Sequence, residues 1–163
     1  MEEEIAEVVR EHGWFAASVS DHEPPFLYCI GLMQTCGHPE LIVFGLDAQS
    51  AHALVSSLVR EILSGRSFAQ RQVAVVRVGE EDLRAGFRVV HPTQHPLYLG
   101  FAMGYCRYVG GLVELQAVQV FWPDRDEQLP FEAGCDLGVL RLQPRLDIPL
   151  TPSEVRRFER LGE

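Results

Sequence analysis

The stretch that most constrains the fold is 24–46, PPFLYCIGLMQTCGHPELIVFGL, the most apolar and most punctuated part of the chain. Its first strand-like run, residues 26–31, alternates between the two faces of a strand. Its second run, residues 40–45, is apolar from Leu41 to Phe44, which is typical of a strand covered on both faces. A loop at 35–39 separates the runs, and the pattern predicts that these two strands form the centre of the sheet.

A long amphipathic helix follows at 48–64. Asp47 stands at the N-cap position and Gly65 supplies the stop. Apolar residues recur at helical spacing along one side of this segment, at Ala51, Leu54, Val55, Leu58, Val59, Ile62 and Leu63. This stripe predicts that the helix packs across the two strands.

The remaining elements mix helices and strands without regular βαβ spacing. Helices are predicted at 2–12 and 96–107, and strands at 14–19, 72–78, 87–90, 113–121 and, edge-like, 137–142. Such an order is typical of an α+β fold, a single mainly antiparallel, mixed sheet with helices packed on it.

The C-terminal tail carries a capping box, in which Thr151 stands three residues before Glu154 and a proline follows Thr151. The box predicts a helix at 152–161 that buries Val155 and Phe158. We therefore expect one domain at 1–146, followed by a helical extension at 147–163 that packs on it.

Composition excludes several classes of protein. The net charge is −9, whereas nucleic acids and anionic membranes require a basic patch, so neither is an expected partner. All 14 basic residues are arginines, and without lysine there is no pyridoxal-phosphate enzyme, P-loop NTPase or ordinary kinase. No apolar run reaches membrane-spanning length and the acidic N-terminus is no signal peptide, so the expected location is the cytoplasm.

Four segments together resemble a bacterial family known only as a domain of unknown function, number 4262. The segments are HGWFAASV (12–19), PPFLYCIGL (24–32), HPELIVFGL (38–46) and VQVFWPDRD (118–126). Their order and spacing carry the resemblance, which covers about 12–132 and leaves 137–163 outside. The chain departs from the usual pattern at Cys29, where threonine is more common. The resemblance implies no activity.

The best candidates for chemistry are His38 and Glu40, a histidine and a carboxylate two residues apart where a loop enters a strand. They suit a base and the group that orients it. The alternative is that His38 caps a turn and Glu40 pairs with an arginine. Tyr28, on the neighbouring strand, either presents its hydroxyl to the same site or is a core aromatic.

A second candidate group closes the late strand. Trp122 would wall a ligand pocket and Asp124 would accept hydrogen bonds from the ligand, or Trp122 is a lid and Asp124 forms an Asx-turn. His91 and His95 are interpreted as solvated loop histidines. Because no metal-ligand spacing or nucleotide motif is present, we expect no metal site and no cofactor.

Two functions remain open. The first is a non-catalytic domain that binds an unknown small molecule or protein partner. The alternative is a small-molecule enzyme doing acid-base or hydrolytic work with His38, Glu40 and Tyr28. If a small ligand is bound, we expect one pocket where the loop at 35–39 meets the end of the 113–121 strand. This pocket would be lined by Tyr28, His38, Glu40, Trp122 and Asp124.

Overall fold

The computed structural model describes residues 1–111 and 114–161, and within these ranges a single six-stranded sheet organises the chain. The strands are β1 (Phe15–Val19), β2 (Phe26–Ile30), β3 (Glu40–Phe44), β4 (Gln72–Val78), β5 (Glu81–Val89) and β6 (Ala117–Phe121). The helices are α1 (Glu2–His12), α2 (Leu32–Cys36), α3 (Ala48–Leu63), α4 (His95–Tyr98), α5 (Gly100–Val109), α6 (Leu137–Leu142) and α7 (Pro152–Leu161). A 3-10 turn at Pro92–Gln94 leads into α4.

The strand order is β1-β2-β3-β6-β5-β4. Among the described strands only β3 and β6 run parallel, and every other neighbouring pair is antiparallel. The predicted α+β class with a mixed, mainly antiparallel sheet is therefore confirmed. The predicted centre is correct for β3 but not for β2, because β6 inserts beside β3 and leaves β2 one strand further out. Both β2 and β3 are nonetheless buried along their whole length.

Each face of the sheet carries its own hydrophobic cluster. Successive residues of β2 point to opposite faces, so Leu27 and Cys29 join the cluster that includes Leu54, Leu58 and other buried residues of α3. Phe26, Tyr28 and Ile30 join the cluster formed with α1 and α5. The predicted packing of the long helix on these strands is confirmed, and its N-cap is Asp47, whose side chain accepts from the Ser50 amide at 2.8 Å.

Several of the elements predicted from the sequence differ in type or length from those in the structure. Residues 137–142 form helix α6 instead of an edge strand, since the Asp136 carboxylate caps the amides of Gly138 and Val139. A six-residue apolar run is too short for its periodicity to separate helix from strand. The strand predicted at 87–90 is the end of the longer β5, and the helix predicted at 96–107 is broken at Leu99 into α4 and α5.

The strand predicted at 113–121 is shorter than expected, because β6 covers only Ala117–Phe121. Its predicted first residue, Val113, lies outside the described residues. The loop predicted at 35–39 is also partly helical, because α2 ends at Cys36.

The segment after Leu146 is tied to the domain by backbone contacts. The Gln94 side chain donates to the Ile148 carbonyl at 2.9 Å, and the Leu150 amide donates to Thr93 Oγ1 at 2.9 Å. The capping box of α7 is confirmed in both directions. The expected burial of Phe158 is wrong, since 40% of this residue is exposed. The division into a domain and a docked extension stays a prediction.

Truncating the chain after Leu146 should lower the melting temperature. The truncation removes the Ile148 carbonyl and the Leu150 amide, which form the two hydrogen bonds to the domain. It also removes the Asp147 carboxylate, which accepts hydrogen bonds from Arg145 at 2.6 Å and 2.8 Å. Each kcal/mol lost shifts the midpoint by about 2–4 °C for a domain of this size. Truncation after Leu150 is the matched control, because it keeps these contacts and removes only α7. If both truncated chains melt like the full chain, the extension does not dock.

The described residues include no helix that is both long enough and apolar enough to cross a membrane. All four cysteines carry free thiols, two of them buried. The cytoplasmic location stays a prediction.

Candidate functional site

His38 lies two residues before β3 and is almost wholly buried. Its Nε2 accepts the Phe68 amide proton at 3.0 Å, so the ring proton sits on Nδ1, which donates to the Pro39 carbonyl at 2.7 Å. Burial lowers the pKa of His38, which keeps the ring neutral. Both ring nitrogens are thus occupied by backbone groups, and His38 ties the start of β3 to the segment that follows α3.

Glu40 fills a gap between β2 and β3. The backbone pairing of these strands ends at Tyr28, which lies opposite Ile42. Beyond this pair, the Leu41 amide donates to Cys29 Sγ at 2.9 Å. In the gap the Glu40 carboxylate accepts from the amides of Gly31 at 2.9 Å and Leu32 at 3.0 Å, where α2 begins. The carboxylate therefore supplies acceptors for backbone amides at the point where the pairing of the two strands ends.

The environment of Glu40 makes it an unusual acid. The residue is only 1% exposed. Burial raises the pKa of Glu40 to about 7, although the amides that it accepts from oppose this rise. The predicted pairing of Glu40 with an arginine is not what the structure has, because backbone amides take that place.

Tyr28 belongs to the cluster on one face of the sheet, and Phe68, whose amide binds His38, belongs to the cluster on the other face. Its hydroxyl accepts from the Phe101 amide, the second residue of α5, at 3.3 Å. Burial raises the pKa of Tyr28. Tyr28 is therefore a core aromatic with a satisfied hydroxyl, and it does not converge with His38 on one reacting position.

Trp122 and Asp124 follow the carboxyl end of β6. The Trp122 indole donates to the Phe44 carbonyl at 2.7 Å. Asp124 Oδ1 accepts from the amides of Asp126 and Gln128, and Oδ2 accepts from the Asp136 amide. These bonds lower the pKa of Asp124. Asp124 thus forms the Asx-turn that the sequence offered as one of two interpretations.

The five predicted residues do not line one pocket. Because β3 and β6 run parallel with Glu40 opposite Ala117, His38 lies before one end of this pair and Trp122 lies beyond the other. Five residues of strand separate them by more than about 13 Å at 3.3 Å per residue. The single shared pocket was wrong, whereas a ligand-binding role for any one of the five stays a prediction.

A cavity beside α5 was not predicted from the sequence. Its volume is about 330 Å³. Among the residues that line it are Pro92, His95, Met103, Cys106, Glu114 and Leu115, and Arg107 joins them from the exposed side of α5. The wall is apolar around a few polar groups, which is the usual make-up of a small-molecule site.

His95 is one of the polar residues of this wall. The residue is 8% exposed, and its Nε2 is buried without a hydrogen-bond partner among the described residues. The pKa of His95 is lowered, chiefly by burial and then by nearby His91. A neutral imidazole carries one lone pair and one N–H, so the bare nitrogen is able to form one further hydrogen bond. The interpretation of His95 as a solvated loop histidine was wrong.

Cys106 lies on the same wall and is half-buried. Its pKa is raised by burial and then by the negative charge of Glu40. A thiol that stays protonated is a weak nucleophile. The lining of the cavity thus includes a histidine with an unpaired ring nitrogen and a cysteine whose thiol stays protonated. The described residues hold no cluster of three or more metal-binding side chains.

The order of elements and the mixed sheet define an α+β domain, and the comparisons identify its family. The family model described as Domain of unknown function (DUF4262) matches residues 8–136, and the chain belongs to this family. The match confirms the resemblance found in the four sequence segments. No curated protein and no solved structure matches the chain.

Proposed function

We propose that this protein binds a small molecule in the cavity beside α5, without covalent catalysis. The observation that carries the proposal is the buried Nε2 of His95, which has no partner in the described structure, in a residue that lines a cavity of about 330 Å³. A buried polar atom without a partner costs about 1–3 kcal/mol, and a bound ligand that supplies the missing hydrogen bond removes this cost.

The other walls indicate the shape of the ligand. Pro92, Met103 and Leu115 present apolar surface, whereas Arg107 and Glu114 bring one positive and one negative charge to the same cavity. This combination suits a small amphipathic molecule with a polar group directed at His95. The protonated Cys106 thiol favours reversible binding over a covalent intermediate.

The proposal is tested by looking for a molecule that co-purifies with the protein from its native host. Native mass spectrometry of gently purified protein should show a bound small molecule at one per chain. In His95→Leu the unpaired ring nitrogen is lost and an apolar side chain takes its place. Retention should then weaken about tenfold, which corresponds to the roughly 1.4 kcal/mol of one hydrogen bond.

The matched control is His12→Leu, which removes an exposed histidine at the end of α1. It should retain the molecule like the unmodified protein. Equal retention by both variants, or no retained molecule in the unmodified protein, contradicts the proposal.

A further inference from the structure

We propose that two copies of this chain pair through β4, the outer strand of the sheet, in an antiparallel arrangement with Val75 on the two-fold axis. The proposal rests on the free edge of β4, on the apolar residues exposed along it, and on the residues that a two-fold pairing brings together. It does not depend on the cavity beside α5.

The backbone groups of β4 are available along its outer edge. β4 is last in the strand order and pairs only with β5 in the described sheet. Arg66 Nη2 donates to the Val75 carbonyl at 3.4 Å from outside this pair, so that carbonyl points away from β5. Because outward and inward groups alternate along an antiparallel strand, the backbone groups of Val73 and Arg77 also point outward.

The side chains at the middle of this edge are apolar and exposed. Val73 is 43% exposed and Val75 is 59% exposed. They lie on the face that α3 leaves uncovered, whereas Val76, on the other face, is buried. On the uncovered face Phe131 packs on Gly86 of β5. Sheet edges that stay unpaired are usually protected by charges, prolines or bulges. Residues 73–76 of β4 include no charge and no proline, although the Arg66 guanidinium reaches the Val75 carbonyl from outside the strand.

A two-fold pairing centred on Val75 matches the sequence of the strand. It places Val75 opposite Val75 of the second copy, Val73 opposite Arg77, Ala74 opposite Val76, and Gln72 opposite Val78. No like charges face each other in this register. The methylene groups of Arg77 would cover Val73, while its guanidinium remains 3.4 Å from Asp82.

Pairing with a second copy would displace the Arg66 side chain from the Val75 carbonyl at the edge of β4. Its bond to the Val75 carbonyl is long, and the second copy would replace it with a backbone amide. Arg66 keeps its bond to Glu61 at 2.9 Å and its position over the Phe68 ring. The pairing therefore exchanges one weak hydrogen bond for a ladder of backbone bonds.

The test is the mass of the protein in solution over a wide range of concentration, by light scattering and sedimentation. The unmodified protein should reach twice the 18.3 kDa of one chain. Val75→Glu should halve that mass, because two carboxylates would face each other across the axis. Within one chain the new glutamate lies at an exposed position opposite Arg84 of β5, which also pairs with Glu132, so the fold itself should tolerate it.

Two further variants fix the register. Val75→Lys should also be monomeric, and an equal mixture of Val75→Glu and Val75→Lys should recover the dimer, because opposite charges then meet on the axis. Val89→Glu is the matched control, since Val89 is an equally exposed strand valine, 52% exposed, that lies away from the edge. This control should remain dimeric.

The unmodified protein provides a test that is independent of folding in the variants. Amide exchange at Val73, Val75 and Arg77 should slow as the protein concentration rises. A monomer at every concentration overturns the proposal. So does a dimer that Val75→Glu leaves intact, or exchange at these three amides that ignores concentration.

Discussion

Replacing Leu58 with alanine should lower the free energy of unfolding by about 2–5 kcal/mol, the usual range for a buried leucine. Leu58 lies on the inward side of α3, is fully buried, and belongs to the cluster with Leu27 and Val43 of the sheet. The cost combines the lost transfer of apolar surface with the cavity left between the helix and the strands. Denaturant unfolding measures it directly.

Leu63 on the same helix is the matched control. It is 50% exposed, so Leu63→Ala should change the stability by less than about 0.5 kcal/mol. A loss below about 1 kcal/mol in Leu58→Ala would show that this side chain is not part of the cooperative core.

Replacing Glu40 with glutamine should cost stability, and the cost should depend on pH. The amide has one acceptor oxygen, whereas the carboxyl group accepts from both Gly31 and Leu32. In the variant, one of these two backbone amides would face the NH₂ group of the glutamine and lose its acceptor. This loss should lower the free energy of unfolding by about 1–3 kcal/mol. This cost should be largest near pH 5.

The direction of the pH dependence follows from the raised pKa of Glu40, about 7 in the folded protein against an ordinary 4.5. Between these values the folded chain binds a proton that the unfolded chain has released, so stability falls as the pH rises. Above the folded pKa the buried carboxylate is charged, and the contribution lost is on the order of 3 kcal/mol.

Denaturant unfolding of the unmodified protein and of Glu40→Gln between pH 5 and pH 8 isolates the contribution of Glu40, because the two proteins share all other titrating groups. The stability advantage of the unmodified protein over Glu40→Gln should shrink as the pH rises. Glu7→Gln, at an exposed position of α1, should show no such trend. If the difference in free energy of unfolding between the unmodified protein and Glu40→Gln stays constant with pH, the pKa of Glu40 is not raised in the folded protein.

The parts of the fold that the sequence predicted correctly are those with a long pattern or a specific local signal. The stripe of α3 repeats over four turns, and the capping box of α7 depends only on Thr151 and Glu154. The short apolar segment that became α6 has neither, and its helical state depends on a cap from Asp136. The length of β6 is set by its backbone pairing with β3 and β5, which a local sequence pattern does not reveal.

The candidate site was predicted less well, because its hydrogen bonds join residues that are distant in the sequence. His38 and Glu40 are indeed special polar residues, since both are buried. Their partners, however, are backbone amides: His38 binds one that is 30 positions away. His95 was overlooked for the opposite reason, because prolines on both sides indicated an exposed loop. The apolar residues at Leu97 and Leu99 were the available signal for its burial.

The place of β6 between β3 and β5 bears on how the chain assembles. The strands β1, β2 and β3 are neighbours in both sequence and space, as are β4 and β5, so each group can form from local contacts. The β3–β6 pair, in contrast, joins residues 77 positions apart, from Glu40 to Ala117, and closing so large a loop is slow. A nascent chain therefore holds two partial sheets with open inner edges until β6 has been synthesised, and this last strand of the described sheet makes the sheet continuous.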